Sequence, residues 1–221
     1  MAKLYFRYGT VMSAKSAQLL AVHDNYTRQG KTCLIAKPKL DTRYQSVIGS
    51  RLGMSMPASY LLPDNADPEI IHRIGRERPQ CLLVDEAQFL SPDWVRYLHE
   101  FTVVGGVPVI CYGLRADYRG IPFPGAVELF ARADVIEEIK TICWMPSCNR
   151  KATHNHLYDA SAQAPSDHHA AVMVGKMFIP LCSACWFYAR LDGSLPDDFT
   201  PPTLSDTCRN FLEGSGPEVG E

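Results

Sequence analysis

The sequence predicts an α/β protein: a mostly parallel sheet flanked by helices, with a small cysteine-bearing part towards the C-terminal end. Three observations predict it. Short apolar runs inside "KTCLIAKP", "PQCLLVDEAQFL" and "VPVICYGLRAD" alternate with longer stretches of helical spacing, and strands that are apolar throughout fit a parallel sheet covered by helices on both faces. The first β-prone run leads directly into "GTVMSAKS", residues 9–16, which has the length, leading glycine and Lys-Ser ending of a phosphate-cradling loop. Finally, Cys143, Cys148, Cys182 and Cys185 fall late in the chain as two close pairs.

Taken in order, "LYFRYG" is a short strand ending in glycine, and "SAKSAQLLAVHDNYTRQG" a helix with Ala17, Leu20 and Ala21 at helical spacings, ended by Gly30. "KTCLIAKP" is a second strand, stopped by Pro38. The stretch from Leu40 to Arg76 has little periodicity, although "DNADPEIIHRI" reads as a helix entered through Asp67 and Pro68. "CLLV" is a buried strand running into two carboxylates, and "SPDWVRYLHEFTVVGG" a helix with Trp94, Leu98 and Phe101 on one face. "VPVICYG" is another buried strand, "PGAVELFARAD" a short helix and "VIEEIKTIC" a further β-prone run. Three parts are expected: residues 1–140 as a nucleotide-binding core, 141–192 as a cysteine-bearing module, and 193–221, rich in proline, glycine and acidic residues, as a loose tail.

The chain has 221 residues, 46% of them hydrophobic and 21% charged, with a formal net charge of −2. That balance gives no general attraction to nucleic acid or an anionic membrane, and no apolar run approaches a membrane span. Eight cysteines without a secretion segment point to free thiols and a metal, and to a cytoplasmic location.

Gly9, Ala14, Lys15 and Ser16 occupy the positions of G-x-x-x-x-G-K-[ST], with alanine where the second glycine belongs. In such a loop the backbone of Gly9, Thr10, Val11, Met12, Ser13 and Ala14 curves round a phosphate, Lys15 supplies a point charge and Ser16 a hydroxyl for Mg²⁺. Alanine is acceptable if position 14 already has helical dihedrals, and that is the expectation. Alone, the stretch also reads as a small-residue helix start. The second motif, "LLVDEAQF", favours the phosphate loop, because Asp85 and Glu86 follow a buried strand at the edge where open α/β sheets bind ligands. Together the two motifs predict a P-loop NTPase-like core. Asp85 suits a metal or its water, and Glu86 the proton of an attacking hydroxyl. Gln88 offers a donor and an acceptor to a planar ligand, and Phe89 a surface for stacking or for core packing.

With "YGTVMSAKS", "KPKLDTRY", "SRLG", "LLVDEAQF", "YGLRADYRGIPFPGA" and "TIC" followed by "RKAT", the chain resembles the zinc-containing, cellular-type (type II) thymidine kinases from about Lys3 to Trp186. The resemblance implies ATP as donor, thymidine or deoxyuridine as acceptor, Mg²⁺, a structural Zn²⁺ and a homotetramer. It implies Glu86 as catalytic base, Lys15 and Arg43 at the transferring phosphate, and Arg51 as a weaker candidate there. Asp85 and Gln88 would lie on the cofactor side. Phe89, Leu114, Tyr118, Phe123, Thr153 and Phe178 would face the nucleoside. Where the family has a Gly-Gly-rich lasso ending in tyrosine, this chain reads "MVGKMF" at 173–178. That departure keeps two alternatives open: a kinase of the same mechanism acting on another pyrimidine nucleoside or nucleotide, and a non-catalytic nucleotide-binding protein.

Four residues separate Cys143 from Cys148 and two separate Cys182 from Cys185. Both spacings suit chelating turns, and four thiolates favour a closed tetrahedral zinc site of structural type. The expectation is that zinc anchors the nucleoside side, so that losing a thiolate weakens thymidine binding more than ATP binding, since the phosphate loop lies on the main sheet.

Overall fold

A computed structural model of the chain describes residues 1–41, 46–158 and 177–191. Its centre is a six-stranded sheet in the order β5, β2, β6, β7, β1, β8, from β1 (Leu4–Tyr8), β2 (Cys33–Pro38), β5 (Tyr60–Leu62), β6 (Cys81–Val84), β7 (Val109–Gly113) and β8 (Val135–Glu138). Every pairing in it is parallel. Strands β2, β6 and β7 are buried along their whole length, which is why Cys33–Ala36 of β2 and all of β6 and β7 read as apolar runs.

Alternate residues of these strands point to opposite faces, and each face has its own cover. Leu34, Ala36, Leu82, Val84, Val109 and Cys111 pack with α2 (Pro68–Arg76), α3 (Pro92–Gly105) and α4 (Pro124–Arg132), through Ile74, Trp94, Leu98 and Leu129. Cys33, Ile35, Cys81, Leu83, Ile110 and Tyr112 pack with Leu19 and Leu20 of α1 (Lys15–Arg28). The helix starts follow capping chemistry: Asp67 accepts the Glu69 N–H at 3.0 Å ahead of Pro68, and Ser91 accepts that of Trp94 at 3.4 Å ahead of Pro92. Helices α1 and α4 are exceptions, since their cap residues, Ala14 and Phe123, have no side chain that can accept.

The unpatterned region contains β3 (Val47–Gly49) and β4 (Ser55–Pro57), an antiparallel pair, and the edge strand β5. Arg51 lies in the turn between β3 and β4. A third apolar cluster, around Ile179, Leu181 and Ala189, belongs to a separate small unit made of β9 (His154–Tyr158), β10 (Met177–Leu181) and α5 (Ser183–Leu191). Strands β9 and β10 pair antiparallel. No helix among the described residues is long and apolar enough to cross a membrane. Arg43, lasso positions 173–176 and the 193–221 tail lie outside the described residues.

Candidate functional site

The phosphate loop leaves the C-terminal end of β1, and Asp85 and Glu86 leave that of β6. Strand β7 lies between the two, so the motifs face each other across one sheet edge. Gly9 is required by close approach, because a Cβ there would lie 2.5 Å from Ser13 Oγ and 2.6 Å from the Ile139 carbonyl oxygen. Met12 and Ala14 both have φ of 61°. Left-handed residues set into such a loop turn successive N–H groups towards a common point, the arrangement that receives an anion.

Ala14 therefore corrects an expectation. It is not the first helical residue but the left-handed cap before α1, with φ 61° and ψ 26°. The helix accepts that conformation because the chain must reverse to enter α1 from the loop, a role that glycine fills at lower cost. Ala14 is exposed, so its methyl meets no wall.

Lys15 is buried at 8% exposure, and its ammonium donates to the Thr10 carbonyl at 2.7 Å and lies 3.4 Å from Gly9 O and Ser13 Oγ. It thus sits inside the curve of the loop. Ser16 Oγ donates to Asp85 Oδ2 at 2.9 Å, and Asp85 Oδ1 accepts the Glu86 N–H at 3.0 Å. A hydroxyl and a buried carboxylate so placed offer the hard oxygen ligands that Mg²⁺ takes. Glu86 is itself left-handed, at φ 48°, at the start of a short 3₁₀ turn over Ala87–Phe89.

Gln88, expected on the cofactor side, lies against Glu86. Its side chain is 1% exposed, with Nε2 donating to Glu86 Oε2 at 2.6 Å and Oε1 accepting the Leu114 N–H at 2.9 Å. Both amide atoms are thus engaged within the protein, between the carboxylate and the loop after β7. Gly113 permits this, since a Cβ there would stand 2.7 Å from Gln88 Oε1.

Of the residues expected at the nucleoside, Phe89 packs edge-on against the buried ring of Phe123, with centroids 5.5 Å apart. Tyr118 and Phe178 approach to 6.1 Å, bringing the loop after β7 against β10. Leu114 is half-buried beside the main core. Thr153 hydrogen-bonds the His154 ring through its hydroxyl and receives Arg115 Nη2 on its carbonyl at 2.7 Å.

The four paired cysteines converge, with all four Sγ atoms within 4.8 Å of one another. Cys148 Sγ stands 3.9 Å from Cys182 Sγ and 3.8 Å from Cys185 Sγ. Zn–S bonds of about 2.3 Å in a tetrahedron place the sulfurs about 3.8 Å apart, so the spacing fits zinc. It is far too wide for disulfides. Burial raises the Cys182 thiol, but the Cys185 N–H and the neighbouring thiols outweigh it and bring it down to about 7. Among the described residues, this is the one group of His, Cys, Asp and Glu able to hold a metal.

Several residues that join this unit to the main sheet had no signal in the sequence. Trp186 donates its indole N–H to the Tyr118 carbonyl at 3.0 Å and stacks on His154 with centroids 4.4 Å apart. Asn155 reaches both the phosphate loop and the Tyr118 loop: Oδ1 accepts the Val11 N–H at 2.8 Å and Nδ2 donates to the Ala116 carbonyl at 3.1 Å. Lys37 and Asp41 form a buried ion pair of 2.9 Å, two residues ahead of Arg43. A neighbouring cysteine pair could have marked Trp186, but a lone Asn in "KATHNH" carries no pattern.

The thymidine kinase family profile matches residues 2–186. The chain belongs to the thymidine kinase family. It is 38% identical to the thymidine kinase of Albidiferax ferrireducens over 189 residues, 85% of this chain and 93% of that protein. It is 36% identical to that of Chromobacterium violaceum, covering 85% of this chain and all of the relative (100%). The thymidine kinase of Ruegeria pomeroyi is 39% identical, across 87% of this chain and 97% of its own. Among solved structures, the genome packaging NTPase of Sulfolobus turreted icosahedral virus 2 aligns with 61% of this chain and 73% of its own, at a TM-score of 0.36 and 14% identity. That likeness is too slight to add to the assignment.

Proposed function

We infer that the chain transfers the γ-phosphoryl group of ATP to the 5′-hydroxyl of thymidine or deoxyuridine. Membership of the thymidine kinase family over residues 2–186 supports the reaction class. The observation that carries the mechanism is the meeting of the two motifs, with Ser16 Oγ bonded to Asp85 Oδ2 at 2.9 Å.

Phosphoryl transfer depends on alignment and on stabilising charge over the phosphate oxygens. The N–H groups of residues 9–14 receive the phosphates, and Lys15 swings its ammonium from the Thr10 carbonyl onto them. Mg²⁺, held by Ser16 and Asp85, would neutralise charge on the phosphates. Glu86 takes the proton from the nucleoside hydroxyl as its oxygen attacks phosphorus in line, and the P–O bond to ADP breaks. Gln88 fixes the direction of the Glu86 carboxylate from below. Arg43 adds charge at the phosphates. Phe89, Leu114, Tyr118, Phe123, Thr153 and Phe178 form the walls of the nucleoside site, with Phe178 lacking the hydroxyl that a tyrosine would bring.

Residues 1–140 serve as the catalytic core and 141–192 as the zinc-bearing unit that completes it, the whole acting as a cytoplasmic homotetramer. Zinc there holds the unit folded and takes no part in the transfer. Incubating the protein with γ-labelled ATP and each common deoxynucleoside and monophosphate tests the reading. Label is expected in thymidine or deoxyuridine monophosphate. Label confined to another pyrimidine product would shift the substrate, and none in any would refute kinase activity.

A further inference from the structure

We propose that Asn155 is a positioning residue through which the zinc-bearing unit holds the phosphate loop in its binding conformation, so that ATP affinity depends on that unit as well. The inference rests on the kinase reading. It adds a specific route by which the cysteine-bearing unit reaches the phosphate loop, beyond the expectation that this unit serves mainly the nucleoside side.

The loop needs support. Met12 and Ala14 both stand at φ 61°, a region that residues with a Cβ adopt only under strain. Val11 lies next to the first of them, and its N–H is the group that Asn155 Oδ1 accepts at 2.8 Å. Asn155 is only 6% exposed. The amide orientation is fixed by its partners: turned over, it would set an NH₂ against the Val11 N–H and an oxygen against the Ala116 carbonyl. The loop is thus held from outside, one residue ahead of its first strained position, by one side chain.

That side chain is in turn tied to the metal. Asn155 lies in β9 opposite Pro180 of β10, and β10 ends at Leu181, immediately before Cys182. On the other side, Cys143 N–H bonds the Arg150 carbonyl, Ala152 N–H that of Thr141, and Thr153 N–H that of Leu181. The position of Asn155 is therefore set by a hairpin whose two ends run into the four-cysteine site. The Tyr118 loop is less dependent on Asn155, because Gln88 holds Leu114 N–H and Trp186 holds the Tyr118 carbonyl.

The test is calorimetric titration of the full, zinc-containing chain with ATP and, separately, with thymidine, for the parent, Asn155→Ala, Ala14→Gly and the double variant. Loss of the acceptor for Val11 N–H is expected to weaken ATP by about tenfold and thymidine by less than about threefold. Ala14→Gly removes strain from the same loop, so it should restore ATP affinity more than about threefold in the Asn155→Ala background. An unchanged ATP affinity, an equal loss for both ligands, or no rescue by glycine overturns the inference while leaving the kinase reading intact. A parent that binds no ATP overturns both. If Asn155→Ala loses its zinc or fails to fold, Asn155→Ser takes its place with the same ordering expected.

Discussion

Replacing Ala14 by glycine should raise the stability of the protein. The residue sits at φ 61° and ψ 26°, a left-handed conformation that disfavours any residue with a Cβ by about 1–2 kcal/mol. Because Ala14 is exposed, removing its methyl loses no packing. Glycine gives the unfolded chain more freedom, which offsets about 0.4–1 kcal/mol of the gain. At the middle of those ranges the net is a stabilisation of about 0.8 kcal/mol. For a chain of this length that corresponds to a rise in melting temperature of about 1–4 °C. The assay is a pair of thermal unfolding curves on zinc-containing protein without nucleotide, followed over a range of scan rates. The sign is decisive: were residue 14 in helical geometry, glycine would lower stability by roughly 0.5–1 kcal/mol instead. A lower melting temperature would refute the assigned conformation and the account of the loop built on it.

Gln88→Leu removes the hydrogen bonds to Glu86 and to Leu114 N–H; it should lower turnover by about tenfold to a hundredfold at saturating substrates, with ATP affinity measured by titration nearly unchanged. Elemental analysis should find one zinc per chain, and Cys182→Ser should weaken thymidine through Trp186 and ATP through Asn155, both measurable in one set of titrations. Burial, with Arg115 and Arg190 nearby, holds His154 and His156 below the usual imidazole value of 6.5. As pH falls through about 6.5 the unfolded chain therefore takes up protons before the folded one, and stability declines. Melting curves at pH 7.5 and 5.5 should show a smaller drop for a His154→Gln, His156→Gln variant than for the parent.

The main sheet was legible because β2, β6 and β7 are covered on both faces and so spell apolar runs, broken only at Lys37 near the end of β2. Helices α2 and α3 were legible through Asp67-Pro68 and Ser91-Pro92, whose side chains and rings act on the nearest backbone. Strands β3, β4 and β5 have three residues each, too few for any period to show. At the candidate site, the sequence singles out Lys15, Ser16, Asp85 and Glu86 because phosphoryl transfer calls for those residue types at those intervals. What Gln88 and Asn155 touch was not readable, since each joins segments far apart in the chain, Asn155 to Val11 across 144 positions. The dihedral of Ala14 escaped for the opposite reason: motif spacing places a residue but does not give its φ.

The central claim is that residues 9–16 and Asp85–Glu86 form one phosphoryl-transfer site acting on a pyrimidine deoxynucleoside. It is tested most directly by a single-turnover measurement with γ-labelled ATP and thymidine, comparing the parent with Glu86→Gln at saturating concentrations of both. The parent should yield labelled thymidine monophosphate, and the variant a rate about 10²–10⁴-fold lower with ATP still bound. Equal rates from the two proteins would contradict Glu86 as the base, and no labelled nucleotide product from the parent would contradict the site itself.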